Sequence, residues 1–244
     1  MMLWAPSPVT DKAVSSAPNR ASVLNAVKNN QVDVLETLIN AKADLQTDSS
    51  NLFNEALSHD DLIIVSVLLD AKASPTQCFH NAAMKCDKHA IEALITAKAD
   101  VHAMMNSAST SALHKAALAN SVEILSILLN AGGELETRDM DGNTVLAAAV
   151  SMKNTDEAVN FLIDAKASLN VVNNAKENIL MIAAASHTSD RFRPLFDRYE
   201  NPNLELRDAN GNTALCHAAK NGNTDAVKFL ISVKASIDVR NNCG

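Results

Sequence analysis

The chain has 244 residues, of which 47% are apolar and only 3% are aromatic, and its formal net charge is −7. A core without large aromatic side chains has to be built from Ala, Leu, Ile and Val, which favours thin layers of closely packed helices. The acidic total and the lack of a Lys/Arg run argue against a protein that binds nucleic acid through phosphates. No apolar run is long enough to cross a membrane, and we expect a cytoplasmic protein.

The first twenty residues differ from the rest of the chain. Residues 1–20 contain three prolines and no helical period, and they lack the charged start and continuous apolar stretch of a secretory signal peptide. We therefore predict an extended or loosely docked N-terminal segment. Trp4 is expected to cover the apolar face of the structure that follows, because terminal repeats need a cap.

From residue 21 onwards, one phrase recurs through the chain. Its first copy is LINAKAD at 38–44, and the fourth residue of the clear copies falls at positions 41, 71, 97, 131, 165 and 233. The spacings are 30, 26, 34, 34 and 68 residues, and a degenerate copy at 195–206 divides the last one. Such a period is typical of a solenoid of stacked helical units. We predict a solenoid over 21–244, with repeats near 21–49, 50–75, 76–109, 110–143, 144–177, 178–212 and 213–244.

Each repeat is predicted to contain two helices. The first is short and rich in Ala, as at 111–119, and the second carries apolar residues at helical spacing, as at 122–129. Between them lies a position for a left-handed residue, and most of the side chains there tolerate positive φ. The residues at that position are Asn30, Asp60, Cys86, Asn120 and Gly222. In the fourth repeat we expect a core of Leu113, Ala116, Leu125, Leu128 and Leu129.

Two segments between repeats, RDMDGNT at 138–144 and RDANGNT at 207–213, predict tight turns, because Asp-Gly and Asn-Gly supply positive φ at low cost. A turn-helix-helix unit of this length resembles the ankyrin repeat, whose pattern includes T-P-L-H-x-A. The matching residues are SALHKA at 111–116 and TALCHA at 213–218, although no copy has Pro after the Thr. The resemblance implies an all-α, ankyrin-repeat-like solenoid of about seven helix-turn-helix repeats with β-turn fingers.

Members of this family usually have Gly near the end of the second helix, where five repeats of this chain have Lys. A left-handed residue other than Gly costs roughly 1–2 kcal/mol, and Lys at a helix C-terminus recovers roughly 0.3–1 kcal/mol. We interpret these lysines as helix-end residues copied with the repeat, since exposed charges more than about 8 Å apart barely reinforce each other. They are Lys42, Lys72, Lys98, Lys166 and Lys234.

No group of residues predicts a metal site. Cys78, His80, Cys86 and His89 are the residue types that bind zinc, but Cys78 and His80 are two apart on one predicted helix and point to different sides. A structural zinc site needs four convergent ligands. The resemblance instead implies that His80 and His114 tie neighbouring loops together.

Catalysis and cofactor binding are not predicted either. Cys216 and His217 are sequence neighbours, which is poor geometry for a nucleophile and its base. The four cysteines form no CxxC pair, so we expect no disulfide framework and a reducing compartment. We predict a protein that is not an enzyme and binds no cofactor.

The resemblance implies that a partner binds the concave face formed by the first helices and the turn tips. Three residues predicted on the outer row of the first helices are apolar where solvent is expected, and Met140 extends them at a turn tip. The alternative is that these are ordinary scattered surface residues. The predicted partner-binding residues are Met84, Leu118, Met140, Asp141, Asn143 and Met152.

A rival surface lies in the sixth repeat, whose second helix interleaves arginines with aromatic residues as interface hot spots do. Phe192 and Phe196 are four apart, so they can equally line the core face of one helix, and Pro194 removes a hydrogen bond unless it falls within the first turn. The alternative partner-binding residues are Arg191, Arg193, Arg198 and Tyr199.

Two classes of function follow. The first is a non-enzymatic, monomeric module that binds another protein, and the divergent Asn/Lys/Ala-rich repeats suggest a bacterial effector that acts in the host cytoplasm. The second is the substrate-recognition domain of a larger enzyme or a ubiquitin-ligase-type assembly, whose catalytic part lies outside this chain. Neither class involves nucleic acid or a membrane. Fold alone does not decide between them, because function depends on the site.

Overall fold

The computed structural model describes residues 20–59, 62–102, 110–186, 189–199 and 202–243. Within them the chain forms fourteen α-helices in seven consecutive pairs, which confirms the all-α repeat fold. The predicted N-terminal segment and Trp4 lie outside the described residues. The helices are α1 (Arg20–Lys28), α2 (Val32–Asn40), α3 (Ser49–Leu57), α4 (Leu62–Asp70), α5 (Thr76–Lys85), α6 (Lys88–Thr96), α7 (Ala112–Leu118), α8 (Val122–Asn130), α9 (Val145–Ser151), α10 (Asp156–Asp164), α11 (Ile179–Ala185), α12 (Ser189–Phe196), α13 (Ala214–Lys220) and α14 (Thr224–Ser232).

The helices belong to two compact units that divide after Ala73. In the first unit α1 packs on α2 and α3, and α4 packs on α2 and α3. In the second unit the first helices of the repeats, α5, α7, α9, α11 and α13, pack on one another in that order. Each of them also packs on the second helix of its own repeat. Every repeat of the second unit therefore contacts its neighbours in sequence, as in a solenoid.

Alanine lies between neighbouring first helices. Ala116, Ala149, Ala183 and Ala218 occupy the fifth position of successive first helices, and each is 0% exposed. A methyl side chain lets two helix axes come close, and alanine loses no side-chain entropy when it is ordered. The first helices therefore stack tightly although the chain has few aromatic side chains.

The second helices bury one apolar stripe. In α8, Ile124, Leu125 and Leu128 are at most 1% exposed, as the helical period requires. Both predicted core residues of α7 are buried as well. The prediction was wrong for Leu129, which is only half-buried. It lies at one edge of the stripe, and the repeat buries Ile124 instead.

Left-handed residues separate the two helices of a repeat, as predicted. In the fifth repeat this residue is Asn154, because one extra residue precedes α10. Asp60 lies outside the described residues. The confirmed positions are Asn30, Cys86, Asn120 and Gly222, with φ between 52° and 68°.

The lysines at the ends of the second helices are also left-handed, with φ between 60° and 71°. At Lys166 the backbone N–H donates to the Ile163 carbonyl at 2.9 Å, and the next N–H, of Ala167, donates to Leu162 at 3.0 Å. These bonds close the last turn of α10 and satisfy carbonyls that the helix leaves open. In the fourth repeat Gly132 holds the same position with φ 96°. The geometry explains why the family prefers glycine there.

Replacing Lys166 with Gly is expected to stabilise the protein by about 1 kcal/mol, because the left-handed conformation that strains Lys costs Gly little. The measurement is the free energy of unfolding from urea denaturation. Lys228 supplies the matched control: it lies inside α14, so Lys228→Gly should destabilise by about 1 kcal/mol. A Lys166→Gly protein no more stable than wild type would contradict the account of strain.

Truncating Leu128 to Ala should cost about 2–5 kcal/mol, because the side chain is 1% exposed and its loss leaves a cavity. Leu129→Ala, on the next residue of the same helix, should cost less because Leu129 already contacts solvent. Thermal and urea denaturation of both variants would measure the difference. Equal losses would show that the stripe has been assigned to the wrong residues.

Candidate protein-binding surface

Turn fingers connect the later repeats of the second unit. In the finger at 138–144, Arg138 and Thr144 form an antiparallel bridge, and the Asp139 N–H donates to the Asn143 carbonyl at 3.0 Å. The Asp139 carboxylate accepts from the backbone of Asp141 and of Asn143, at 3.0 and 2.8 Å. These bonds fold the finger locally, as Asp does in tight turns.

The finger at 207–213 repeats this pattern, so both predicted turns are present. Asp208 accepts from the backbone N–H groups of Asn210 and Asn212, each at 2.8 Å. Burial raises the pKa of Asp208, but hydrogen bonds from Asn212, His217 and Asn210 outweigh that effect and lower it below its ordinary value. The finger is therefore built around an ionised carboxylate.

A third finger, at 172–178, was not predicted. Val172 and Asn178 form its bridge, and Lys176 has φ 61° where the other fingers have glycine. The turn prediction depended on Asp-Gly and Asn-Gly, and this finger has neither pair. A signal was nevertheless present, because Asn173 follows Asp139 by one period of 34 residues and its side chain accepts from the backbone in the same way.

The fingers are joined to one another. Asn174 donates from its backbone to the Asp141 carbonyl at 2.9 Å and from its side chain to the Met140 carbonyl at 3.0 Å. A Cβ atom at Gly142 would collide with Asn174, so this close approach requires glycine. Further along, Ala209 donates to the Ala175 carbonyl at 2.8 Å. The finger tips therefore have a fixed spacing.

Histidines tie first helices to loops, as the resemblance implied. His114 Nδ1 accepts from the Ser111 backbone N–H at 3.3 Å, which leaves Nε2 to donate to the Asn143 carbonyl at 3.3 Å. His80, which is also buried, has a ring nitrogen 2.6 Å from the Thr110 carbonyl. Burial lowers the pKa of His114, against the opposing effect of the Asn143 carbonyl. Both histidines therefore have structural roles.

The predicted apolar row is exposed at the ends of three successive first helices. Met84 is 45% exposed in the last turn of α5, Leu118 is half-buried at the end of α7, and Met152 is 48% exposed directly after α9. Met140, at a finger tip, is 61% exposed. We call the exposed side of these first helices and the finger tips of the second unit the first-helix face. It contains these four apolar side chains.

Two details of the predicted set need correction. The residue of α9 equivalent to Leu118 is Ser151, and Met152 leaves the helix with an extended backbone, because the fifth repeat has one extra residue. Asn143 is half-buried, and its side-chain oxygen accepts from Asn173 at 3.1 Å. Asn143 is thus used inside the fingers, whereas the neighbouring Asp141 is exposed.

The aromatic part of the rival stretch belongs to the core. Phe192 is 1% exposed, and its ring lies 6.3 Å from that of Phe196 and 6.0 Å from that of Phe229. Phe196 and Phe229 meet edge to face at 4.9 Å. The three rings fasten α12 to α14. Pro194 lies inside α12 beyond its first turn, so that helix lacks one internal hydrogen bond.

The polar residues of the same stretch have partners within the chain. The Arg193 guanidinium lies 5.5 Å from the centre of the Phe229 ring, and Arg198 pairs with Asp164 at 2.7 Å. The Tyr199 hydroxyl donates to the Leu169 carbonyl, and burial raises its pKa. The structure does not describe the side chain of Arg191. An open groove of about 630 Å³ adjoins Arg193, between α12 and α14.

Glu177, Asp208 and His217 form a cluster that the sequence did not reveal. His217 Nε2 lies 2.9 Å from an Asp208 oxygen and 3.8 Å from a Glu177 oxygen. These types bind metal ions, but backbone and side-chain donors of the finger already occupy the oxygens of Asp208. The cluster joins two fingers.

The comparisons with known proteins agree with this architecture. The family model described as ankyrin repeats, in three copies, matches residues 79–173 and 152–242. A comparison of the sequence with curated proteins finds no match. None of the helices in the described ranges is long and apolar enough to cross a bilayer.

The lowered pKa of His114 predicts a dependence of stability on pH. The unfolded chain takes up a proton on this histidine below about pH 6.5, whereas the buried ring resists it. The free energy of unfolding should therefore fall as the pH drops below 6.5, until the folded-state pKa is reached. This histidine contributes at most about 1.4 kcal/mol per pH unit to the change in the free energy of unfolding with pH. That contribution should disappear in His114→Gln.

Urea denaturation between pH 7.5 and 5 would measure this slope. Exposed His102 provides the control, because its surroundings change little on unfolding. His102→Gln should keep the wild-type slope. If His114→Gln also keeps it, the buried ring is not the source of the pH dependence.

Proposed function

The chain belongs to the ankyrin repeat family, and we propose that it is a non-enzymatic protein that binds one protein partner through its first-helix face. Ankyrin repeats are generally protein–protein interaction modules, and the family is typically non-enzymatic. The proposal places the partner on the third to fifth repeats. Its central contacts are Met84, Leu118, Met140 and Met152, with Asp141 beside them.

The exposed apolar row carries this proposal. Met84, Met140 and Met152 expose about half or more of their surface, although the core lies on the other side of the first helices. Neighbouring exposed apolar side chains are typical of interaction sites, and the flexible Met side chain adapts to irregular partners. Burial against a partner would contribute about 1.5–3 kcal/mol for each side chain.

The rival surface at 191–199 is less suited to a partner. Its phenylalanines hold α12 and α14 together, and its arginines already contact Phe229 and Asp164. A partner would have to displace these contacts, whereas the methionine side chains are exposed to solvent. We also propose that the chain acts as a monomer in the cytoplasm. In a bacterial effector this would be the cytoplasm of the host cell.

Removing two apolar side chains should weaken binding of the partner about 100-fold, because two losses of at least about 1.4 kcal/mol each amount to that factor. The variant is Met84→Ser with Met152→Ser, and the partner is one recovered on the wild-type chain by affinity purification. The dissociation constant is measured by calorimetry, and circular dichroism checks that the fold is unchanged.

The matched control removes two apolar residues of similar exposure from second helices, Ile63→Ser with Ile231→Ser. It should bind as wild type. Arg193→Glu tests the rival surface and should also have little effect. If the methionine variant binds normally and Arg193→Glu does not, the partner site lies on the sixth repeat and the proposal is wrong.

A further inference from the structure

The first helices of the second unit carry lysine and no carboxylate. Apart from histidines, their charged residues are Lys85 at the end of α5, Lys115 in α7 and Lys220 at the end of α13. Lys153 follows Met152 in the turn after α9, and Lys176 lies in the finger at 172–178. All except half-buried Lys115 are exposed. Five positive charges therefore accompany the exposed methionines.

The carboxylates of the same unit lie on the second helices and in the turns and loops. Each second helix contains at least one carboxylate, whereas no first helix of the unit has any. The three fingers of the first-helix face contain four carboxylates, Asp139, Asp141, Glu177 and Asp208, and of these four Asp141 alone is exposed. Glu177 already accepts from the Asn173 side chain at 2.9 Å. A chain with a net charge of −7 thus has a locally basic face.

These lysines are not used for ion pairs within the chain. In the part of the second unit that the structure describes, the ion pairs of Lys and Arg are Lys88 with Glu123 at 2.8 Å and Arg198 with Asp164 at 2.7 Å. Both lie on the side of the second helices. The lysines of the first-helix face are therefore available to carboxylates from outside.

We infer that the segment bound by the first-helix face is an acidic peptide with interspersed apolar side chains, an inference that rests on the proposed function. The apolar side chains of the peptide contact Met84, Leu118 and Met152, while its Asp and Glu residues meet the neighbouring lysines. Each lysine of the face pairs with a different carboxylate of the peptide. The affinity therefore does not depend on the lysines reinforcing one another over distances at which salt screens them. Complementary charge of this kind raises the association rate and excludes basic competitors.

A nucleic acid would offer the lysines phosphates instead. The face is less suited to it, because the exposed methionines gain nothing from a phosphate backbone. An acidic peptide with apolar side chains can pair with the lysines and also bury the methionines.

The experiment selects a random library of displayed 16-residue peptides on the full chain, and the enriched sequences are then synthesised. Enriched peptides should carry net negative charge together with Leu, Ile, Phe or Met. Their affinity should fall about tenfold when salt is raised from 0.05 to 0.5 M, since exposed ion pairs are screened. Enrichment of neutral or basic peptides would overturn the inference.

Two lysine variants localise the charge effect. Lys85→Gln, Lys153→Gln and Lys220→Gln together should weaken binding of the synthesised peptides about tenfold. The control removes the same charge from second-helix ends, with Lys98→Gln, Lys166→Gln and Lys234→Gln, and should change binding less than twofold. Equal losses in the two variants would show that only net charge matters, and the inference would fail.

Two further measurements separate this inference from the proposed function. If Met84→Ser with Met152→Ser abolishes peptide binding and the first lysine variant does not, the proposed function stands and the acidic peptide is excluded. If neither variant matters, or no peptide is enriched, the first-helix face is not the binding site and both proposals fail. Tighter binding of a single-stranded 20-mer of thymidine than of the peptides, at 0.15 M salt, would assign the lysines to nucleic acid.

Discussion

Small, completely buried alanines on the first helices allow the close spacing of the second unit. Because these alanines are completely buried, the helices cannot separate without leaving voids in the core. The same spacing determines how far apart the fingers lie, and it lets Asn174 reach the carbonyl of Asp141. The regular positions of Met84 and Leu118 at the ends of α5 and α7 follow from it.

The sequence predicted the fold well because the same local preferences occur seven times. The left-handed residues at the two helix ends and the Leu/Ala pattern of the first helix were each supported by several repeats. Errors occurred where a single repeat departs from the pattern. The third finger was not predicted, because Lys176 stands where the other fingers have glycine. Met152 was expected on the first helix of its repeat, but one extra residue places it directly after that helix. Solvent exposure at the edge of a stripe, as for Leu129, depends on tertiary packing.

The surfaces were harder to predict than the helices. The Arg and aromatic residues of the sixth repeat have the composition of an interface, yet their rings pack against Phe229 from the next repeat. Conversely, the lysines of the first helices are too far apart in the chain to form a basic run, and only the stacking of α5 to α13 brings them onto one side. Composition identifies which residues favour contact, and packing decides whether that contact is internal.

The extra residue of the fifth repeat shows how this architecture tolerates changes in length. It lies between α9 and α10, where Met152 is extended and Asn154 is left-handed, and both helices keep the lengths found in the fourth repeat. The helix surfaces that pack on neighbouring repeats are therefore unchanged, and only the loop between α9 and α10 is longer, by one residue. An array of this kind can change the depth and reach of its contact surface repeat by repeat, by insertion in these loops, without rebuilding its core.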